Sequence, residues 1–124
     1  MKNYFDVAGK YAFVTGASSG LGRQFAICLA EQGANVAIAA RRVEKLEEVK
    51  KEVEAYGVKC LALPCDVTDS AQVKSAVDAA VAEFGRIDIL INNAAAGFAT
   101  PAAETDDETW QRVINTNVNG VFYV

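Results

Sequence analysis

The stretch Thr15-Gly16-Ala17-Ser18-Ser19-Gly20-Leu21-Gly22 decides how this chain folds. It follows the apolar run 11–14, which is typical of a buried strand, and precedes the apolar run 25–30, which is typical of a helix. Glycine carries no Cβ, so a ligand can approach the backbone N–H groups of such a turn closely. The helix that starts inside the turn directs unpaired N–H groups and its positive dipole end at the same place. The stretch therefore predicts a phosphate site, to which Ser18 and Ser19 could add hydroxyl donors; the alternative is a simple tight turn.

The composition limits the class of protein. The chain has 124 residues, of which 52% are apolar and 23% charged, as expected of one domain spanning 1–124 with its own core. Its net charge of -4 and the lack of a long basic run argue against a nucleic-acid partner. No apolar run reaches the roughly 18 residues of a membrane span. The first residues lack the apolar segment of a signal peptide, so we expect a cytoplasmic protein.

Cysteine and histidine usage excludes several kinds of site. Cys28, Cys60 and Cys65 form no C-x-x-C pair, and the chain contains no histidine. We therefore expect no metal site and no disulfide framework, and we interpret the cysteines as small buried hydrophobic residues. Without histidine, the Ser-His-Asp and Cys-His mechanisms are also excluded.

Apolar segments alternate with amphipathic ones along the chain. We expect strands at 11–14, 35–39, 59–64 and 87–91, and helices that end near residue 32, span 43–56 and 70–84, and follow the acidic run 104–108. Apolar strands between amphipathic helices are typical of a parallel sheet covered on both faces. Right-handed crossovers favour a doubly wound α/β fold with strand order 3-2-1-4, and a ligand crevice beyond the carboxyl ends of strands one and four.

Helical spacing also predicts which apolar side chains are buried. On the helix 43–56 they are Leu46, Val49, Val53 and Tyr56. On the helix 70–84 they are Val73, Ala76, Val77, Ala80, Val81 and Phe84. The last helix carries its apolar residues at Trp110, Val113, Ile114, Val121 and Phe122.

The residues that follow the second strand indicate which dinucleotide the chain binds. A dinucleotide fold puts the ribose 2′-oxygen there, about 20 residues after the turn, where an acid would bond a free hydroxyl. This chain has no acid there, and Arg41 and Arg42 follow the strand directly. Because guanidinium groups match phosphate geometry, the pair predicts a 2′-phosphate and hence NADP(H) over NAD(H). The alternative is that both arginines only face water at the end of a strand.

Polar residues also follow the third and fourth strands. Asp66 could accept the amino group of an adenine and Val67 could pack on its ring, although Asp66 could instead cap the next helix. After the fourth strand, the small residues of the run 92–95 would let a ligand approach the backbone, while its asparagines could tie the strand to its neighbours. Asn117 is a mediocre helix former within a helix, so it either faces water or bends the helix by bonding backbone or a bound water.

In these motifs the chain resembles the N-terminal half of a short-chain dehydrogenase/reductase. Residues 15–22 match that family's T-G-x-x-x-G-x-G turn, Asp66-Val67 its D-V pair, residues 92–94 its N-N-A motif, and Asn117 its active-site asparagine. The resemblance implies a Rossmann fold and NAD(P)(H)-dependent interconversion of a secondary alcohol and a ketone. An alanine followed by Arg41 is similar to the NADP(H)-preferring branch.

The resemblance also implies roles for individual residues. Asn117 would be catalytic, and the substrate would be a small carbonyl compound or alcohol. The last helix would help to form a homo-oligomer, a dimer or a tetramer. The residues that would bind the cofactor are Gly16, Ser18, Ser19, Gly20, Leu21, Gly22, Arg41, Arg42, Asp66, Val67, Asn93, Ala94 and Ala95.

Two departures from the family pattern are visible. Ala95 stands where the family usually has glycine, so its methyl group could crowd the backbone near the nicotinamide ribose. The family's catalytic serine and Tyr-x-x-x-Lys pair have no counterpart, since none of the four tyrosines is followed by lysine four residues later. We therefore expect about half of an enzyme, ending after the helix that follows strand four and inactive alone. The alternatives are a non-catalytic dinucleotide-binding module and a self-associating structural fragment.

Overall fold

A four-stranded parallel sheet forms the centre of the computed structural model, which describes all residues from Met1 to Val124. Its strands lie in the order β3-β2-β1-β4, and all three pairings are parallel. The strands are β1 (Tyr11–Thr15), β2 (Asn35–Ala40), β3 (Cys60–Pro64) and β4 (Ile89–Ile91). The prediction of a doubly wound Rossmann-type fold is therefore confirmed.

Helices cover both faces of the sheet. They are α1 (Gly20–Glu31), α2 (Val43–Glu54), α3 (Ser70–Phe84), α4 (Asp107–Ile114) and α5 (Gly120–Tyr123). A short 3₁₀ turn (Ala102–Glu104) precedes α4, and a π-helical turn (Asn115–Asn119) joins α4 to α5. None of these helices has both the length and the apolar character needed to cross a membrane.

The core consists of two layers separated by the sheet. Successive strand residues point to opposite faces, so Val14 packs in the layer of α1 and α2 while its neighbour Phe13 packs in the layer of α3. Leu46, Val49 and Val53 of α2 are fully buried in the first layer, as predicted. The two central strands, β1 and β2, are therefore buried on both faces, which leaves the strand ends as the place for polar chemistry.

On α2 and α3, two residues predicted to be buried are exposed. Tyr56 is 50% exposed because α2 already ends at Glu54, before the tyrosine. Val81 is 41% exposed because it lies about 100° further round α3 than Ala80, beyond the edge of the buried stripe. Val77 is half-buried at the same edge.

Strand β4 is shorter than predicted, with three residues instead of five. Before β4, the Asp88 N–H donates to the Tyr11 carbonyl at 2.8 Å, and the Asp88 carboxylate accepts from the Tyr11 N–H at 2.9 Å. β4 pairs only with β1 and forms an edge of the sheet, and Leu90 at its centre is 44% exposed.

The last helix runs without a break from residue 107 to residue 123, as predicted, but it contains a π-helical turn that the sequence did not predict. The π-helical turn inserts an extra residue, so the apolar residues after it do not continue the regular α-helical spacing of those before it. Val113 and Ile114 are half-buried, but Trp110, Val121 and Phe122 are exposed.

Candidate functional site

A cleft of about 450 Å³ opens at the carboxyl edge of the sheet, where the strand order reverses. The residues after all four strands contribute to it, and the helix that follows β4 adds one wall. The lining residues are Gly16, Ser18, Ser19, Ala40, Arg41, Arg42, Cys65, Asp66, Val67, Thr68, Asn93, Ala94, Ala95, Ala96, Arg112 and Thr116.

The glycine-rich turn is held tightly against its neighbours. A Cβ on Gly16 would lie 2.9 Å from Ala94 Cα, and one on Gly22 would lie 2.2 Å from the Gly16 carbonyl oxygen. Gly16 also has a φ of 63°, in the left-handed region that favours glycine. Gly22 is therefore buried below the turn and outside the cleft, where it lets α1 start directly beside the turn.

The start of α1 has free hydrogen-bond donors. Ser19 is its N-cap residue, yet the Ser19 side chain makes no capping bond, and the first turn contains no acidic residue. The first backbone N–H groups of the helix are thus free of side-chain acceptors, which is the arrangement that binds phosphate groups. Ser18 and Ser19 line the cleft beside them, whereas Gly20 and Leu21 do not, and Leu21 is 69% exposed.

Thr15 and Asn93 connect the turn to the end of β4. The buried Thr15 hydroxyl accepts hydrogen bonds from the N–H groups of Asn93 and Ala94, each at 3.0 Å. The Asn93 amide donates in return to the carbonyl oxygens of Thr15 and Gly16, each at 3.2 Å. Asn93 lines the cleft, but its donors are used to hold the turn in place.

Arg41 and Arg42 lie at the cleft without an acidic partner. The four ion pairs of the chain join other residues. Both arginines are exposed, and Arg42 occupies the N-cap position of α2. Three arginines and a single aspartate line the cleft of a chain with a net charge of -4, so positive charge is concentrated at this edge.

Asp66 lies in the cleft and does not cap a helix. Its Oδ1 accepts from the Thr68 N–H at 3.0 Å and from the Thr68 hydroxyl at 2.7 Å, while Asp69 caps α3. Burial raises the pKa of Asp66, but the two bonds from Thr68 and the charge of Arg41 outweigh it and hold the pKa below its usual value. Asp66 is thus a carboxylate at neutral pH, able to accept a hydrogen bond.

Asn117 holds the loop after β4. Its Oδ1 accepts from the Ala96 N–H and its Nδ2 donates to the Ala96 carbonyl, both at 2.8 Å. The side chain is exposed, as the first sequence interpretation has it, and it does bond backbone, but the backbone belongs to another segment of the chain rather than to its own helix. Asn117 does not line the cleft itself.

Two cleft residues that the sequence did not single out come from the helix after β4. Arg112 lies in the last turn of α4, and Thr116 lies four residues later in the π-helical turn. The only sequence signal was their spacing in the same helical segment as Asn117, which does not tell which side of a helix faces a ligand.

The comparison with known protein families agrees with this geometry. The model of the short chain dehydrogenase family matches residues 10–124. The chain belongs to the short-chain dehydrogenase family. Among its relatives is the 3-oxoacyl-acyl-carrier-protein reductase FabG of Staphylococcus aureus, which is 42% identical over 114 residues. That alignment covers 91% of this chain and 46% of FabG.

Solved structures of the short-chain dehydrogenase family superpose closely on this chain. An NAD+-bound xylitol dehydrogenase has a TM-score of 0.92 at 37% identity, covering 95% of this chain and 46% of its own. The L-sorbose reductase of Gluconobacter frateurii, complexed with NADPH and L-sorbose, has a TM-score of 0.90 at 34% identity, covering 96% and 46%. The chain therefore spans about half the length of these relatives.

Proposed function

We propose that this chain forms the cofactor-binding part of an NADP(H)-dependent oxidoreductase that interconverts a secondary alcohol and a ketone. The observation that carries the proposal is the pairing of Arg41 and Arg42, free of acidic partners, with the uncapped start of α1 in one cleft. Together they offer one site for a pyrophosphate and a second for a 2′-phosphate. The family's cofactor, when bound, supplies or accepts the hydride.

Each wall of the cleft has a role in this proposal. The N–H groups at the start of α1, with Ser18 and Ser19, hold the pyrophosphate. Arg41 and Arg42 hold the 2′-phosphate, while Asp66 and Val67 receive the adenine. Gly16, Gly20, Leu21 and Gly22 shape the turn that makes the N–H groups accessible.

The residues after β4 complete the cofactor site. Asn93, Ala94 and Ala95 face the nicotinamide ribose, and the Ala95 methyl group narrows that approach. We assign Asn117 to the catalytic machinery, where its paired bonds to Ala96 support the loop beside the reacting end. The substrate is a small carbonyl compound or alcohol.

The choice of NADP(H) over NAD(H) rests on the arginines. The relatives include both a NAD+ complex and an NADPH complex, so the family alone does not decide it. An arginine directly after β2, where no acid ends the strand, favours a 2′-phosphate because an acid at that position would repel the group.

Self-association belongs to the same proposal. Trp110, Val121 and Phe122 leave exposed apolar area on the α4–α5 segment, and burial of that area would favour a homo-oligomer.

A second candidate function is binding of the dinucleotide without chemistry by these 124 residues alone. It is favoured by the lack of a Tyr-x-x-x-Lys pair in the sequence. Titration with NADPH followed by addition of a ketone tests it: binding without oxidation of NADPH is expected of these 124 residues, and oxidation would exclude binding alone.

The cofactor assignment is tested by titrating the chain with NADPH and with NADH while following nucleotide fluorescence. We expect tighter binding of NADPH, and Arg41→Asp should lower NADPH affinity about tenfold or more, with little effect on NADH. Lys51→Asp is the matched control, because it makes the same charge change on an exposed side chain of α2. An Arg41→Asp chain that keeps its preference would refute the role of Arg41.

A further inference from the structure

One face of the last helical segment forms a wall of the cleft. Arg112, Thr116 and Gly120 follow one another at intervals of four residues. Gly120 packs on Val67, since a Cβ on this glycine would lie 2.8 Å from the Val67 Cγ2 atom. The helical segment therefore contacts the residues after β3 at Gly120. Toward its amino end, Thr116 and Arg112 line the cleft.

Arg112 does not form the ion pair that its own helix offers. Glu108 lies four residues earlier, the spacing and order in which a carboxylate and a cation stabilise a helix best. No carboxylate lies within 4.0 Å of the Arg112 guanidinium, since the four ion pairs join other residues. Together with the Thr109 hydrogen bonds, its charge helps to lower the pKa of the Asp106 carboxyl without an ion pair, and the residue lines the cleft.

Arg112 and the Arg41–Arg42 pair belong to opposite sides of the sheet. Arg42 occupies the N-cap position of α2, which packs in the layer of Val14 and Ile38. Val67, the contact of Gly120, packs in the layer of α3 with Phe13. A 2′-phosphate held at Arg41 and Arg42 is thus approached from one layer, while Arg112 reaches the cleft from the other.

We infer that Arg112 stacks its guanidinium plane on the adenine ring of the bound dinucleotide. The inference rests on the proposed function, because it needs the adenine to lie at Asp66 and Val67. There Val67 contacts one side of the ring, and the Asp66 carboxylate accepts a hydrogen bond from its edge. Arg112 lines the same cleft and forms no ion pair, so its guanidinium is available for the second side, and arginine planes stack well on aromatic rings.

Contacts to the adenine and contacts to the 2′-phosphate should affect the affinities for NADPH and NADH differently. The adenine ring is common to NADPH and NADH, so a stacking residue supports both. The 2′-phosphate is present only in NADPH, so Arg41 supports only that nucleotide. Arg112 is therefore a binding residue that raises affinity without choosing between the two.

The test compares Arg112→Ala and Arg112→Lys with the unchanged chain, using NADPH and NADH titrations read by nucleotide fluorescence. We expect Arg112→Ala to weaken both nucleotides about tenfold. Arg112→Lys should bind both nucleotides almost as weakly as Arg112→Ala, because an ammonium group keeps the charge but has no plane to stack. Arg86→Ala is the matched control, since it removes an exposed guanidinium at the amino end of β4, and it should leave both affinities unchanged.

Each other outcome overturns the inference in a distinguishable way. If Arg112→Ala binds both nucleotides like the unchanged chain, the stacking role fails while the proposed function stands. If only NADPH binding falls, or if Arg112→Lys restores affinity fully, Arg112 acts through its charge and stacking is refuted. If the unchanged chain binds neither nucleotide, the proposed function fails and the inference fails with it. Circular dichroism of each variant establishes that it is folded.

Discussion

The starts of α1 and α3 follow two strands, β1 and β3, that end at the same sheet edge, yet they are built in opposite ways. At α3, the Asp69 carboxylate accepts hydrogen bonds from the N–H groups of Ala71 and Gln72, at 3.0 and 3.3 Å. At α1, the N-cap residue Ser19 makes no such bond. A side-chain cap stabilises a helix by about 1 kcal/mol, so α1 lacks a contribution that α3 has. The difference shows which helix start is free to receive an anion.

The two starts also differ in how closely they approach their surroundings. At α1, Gly22 packs on the Gly16 carbonyl with no room for a Cβ, so the turn and the helix form one rigid unit. The start of α3 contains no glycine and is held by its own side chains, with Gln72 also bonded to the Asp66 N–H at 3.0 Å. Rigid placement of the free N–H groups at α1 is what preorganised anion binding requires.

The largest effect is expected from Gly22→Ala, which destroys the close approach at α1. The added Cβ would lie 2.2 Å from the Gly16 oxygen and 2.5 Å from Asn93 Nδ2, so the turn must shift. We expect a loss of about 3 kcal/mol in the free energy of unfolding, measured in urea, and loss of NADPH binding. Gly97→Ala, where a Cβ would meet nothing within 4 Å, is the control. Equal urea midpoints for the two variants would contradict the packing argument.

A smaller effect is expected when α1 is given the cap of α3. In Ser19→Asp the new carboxylate should bond the free N–H groups, stabilising the chain by up to about 1 kcal/mol. It also places negative charge where a phosphate would bind, so NADPH affinity should fall about tenfold. The reciprocal exchange Asp69→Ser should leave NADPH affinity unchanged, because α3 starts outside the cleft. Fluorescence titration measures both, and unchanged affinity in Ser19→Asp would remove α1 from the proposed site.

The smallest effect is expected in the pH dependence of stability at α4, which, like α3, has an aspartate at its N-cap. The Thr109 hydrogen bonds hold the pKa of Asp106 below its usual value, with the Thr109 N–H donating to Oδ1 at 2.7 Å. A lowered folded-state pKa gives stability that is present above the unfolded-state pKa of about 3.9 and is lost as the pH falls toward the folded-state pKa. We therefore expect the advantage of the native chain over Asp106→Asn, in urea unfolding, to shrink below about pH 4. Parallel pH profiles for the two chains would refute the cap.

Residues at strand ends were the most predictable part of the site. Arg41 and Asp66 each follow an apolar strand directly, and the carboxyl ends of parallel strands meet at one edge, so their shared cleft follows from the order of the elements. Residues on the last helix were not predictable in this way. Which side of α4 faces the cleft depends on how the helix crosses the sheet, and that is fixed by contacts such as Gly120 on Val67.

The sequence by itself determined the parallel sheet, its strand order, and the glycine turn before α1. These features depend on apolar periodicity and on glycines without a Cβ, which are properties of short stretches of chain. Only the tertiary structure decided the uses of the polar groups. Asn93 ties β4 to the turn, Asn117 holds Ala96, and Arg112 reaches the cleft instead of pairing with Glu108. The physical reason is that a hydrogen bond or an ion pair depends on distances of a few ångströms between segments far apart in the chain.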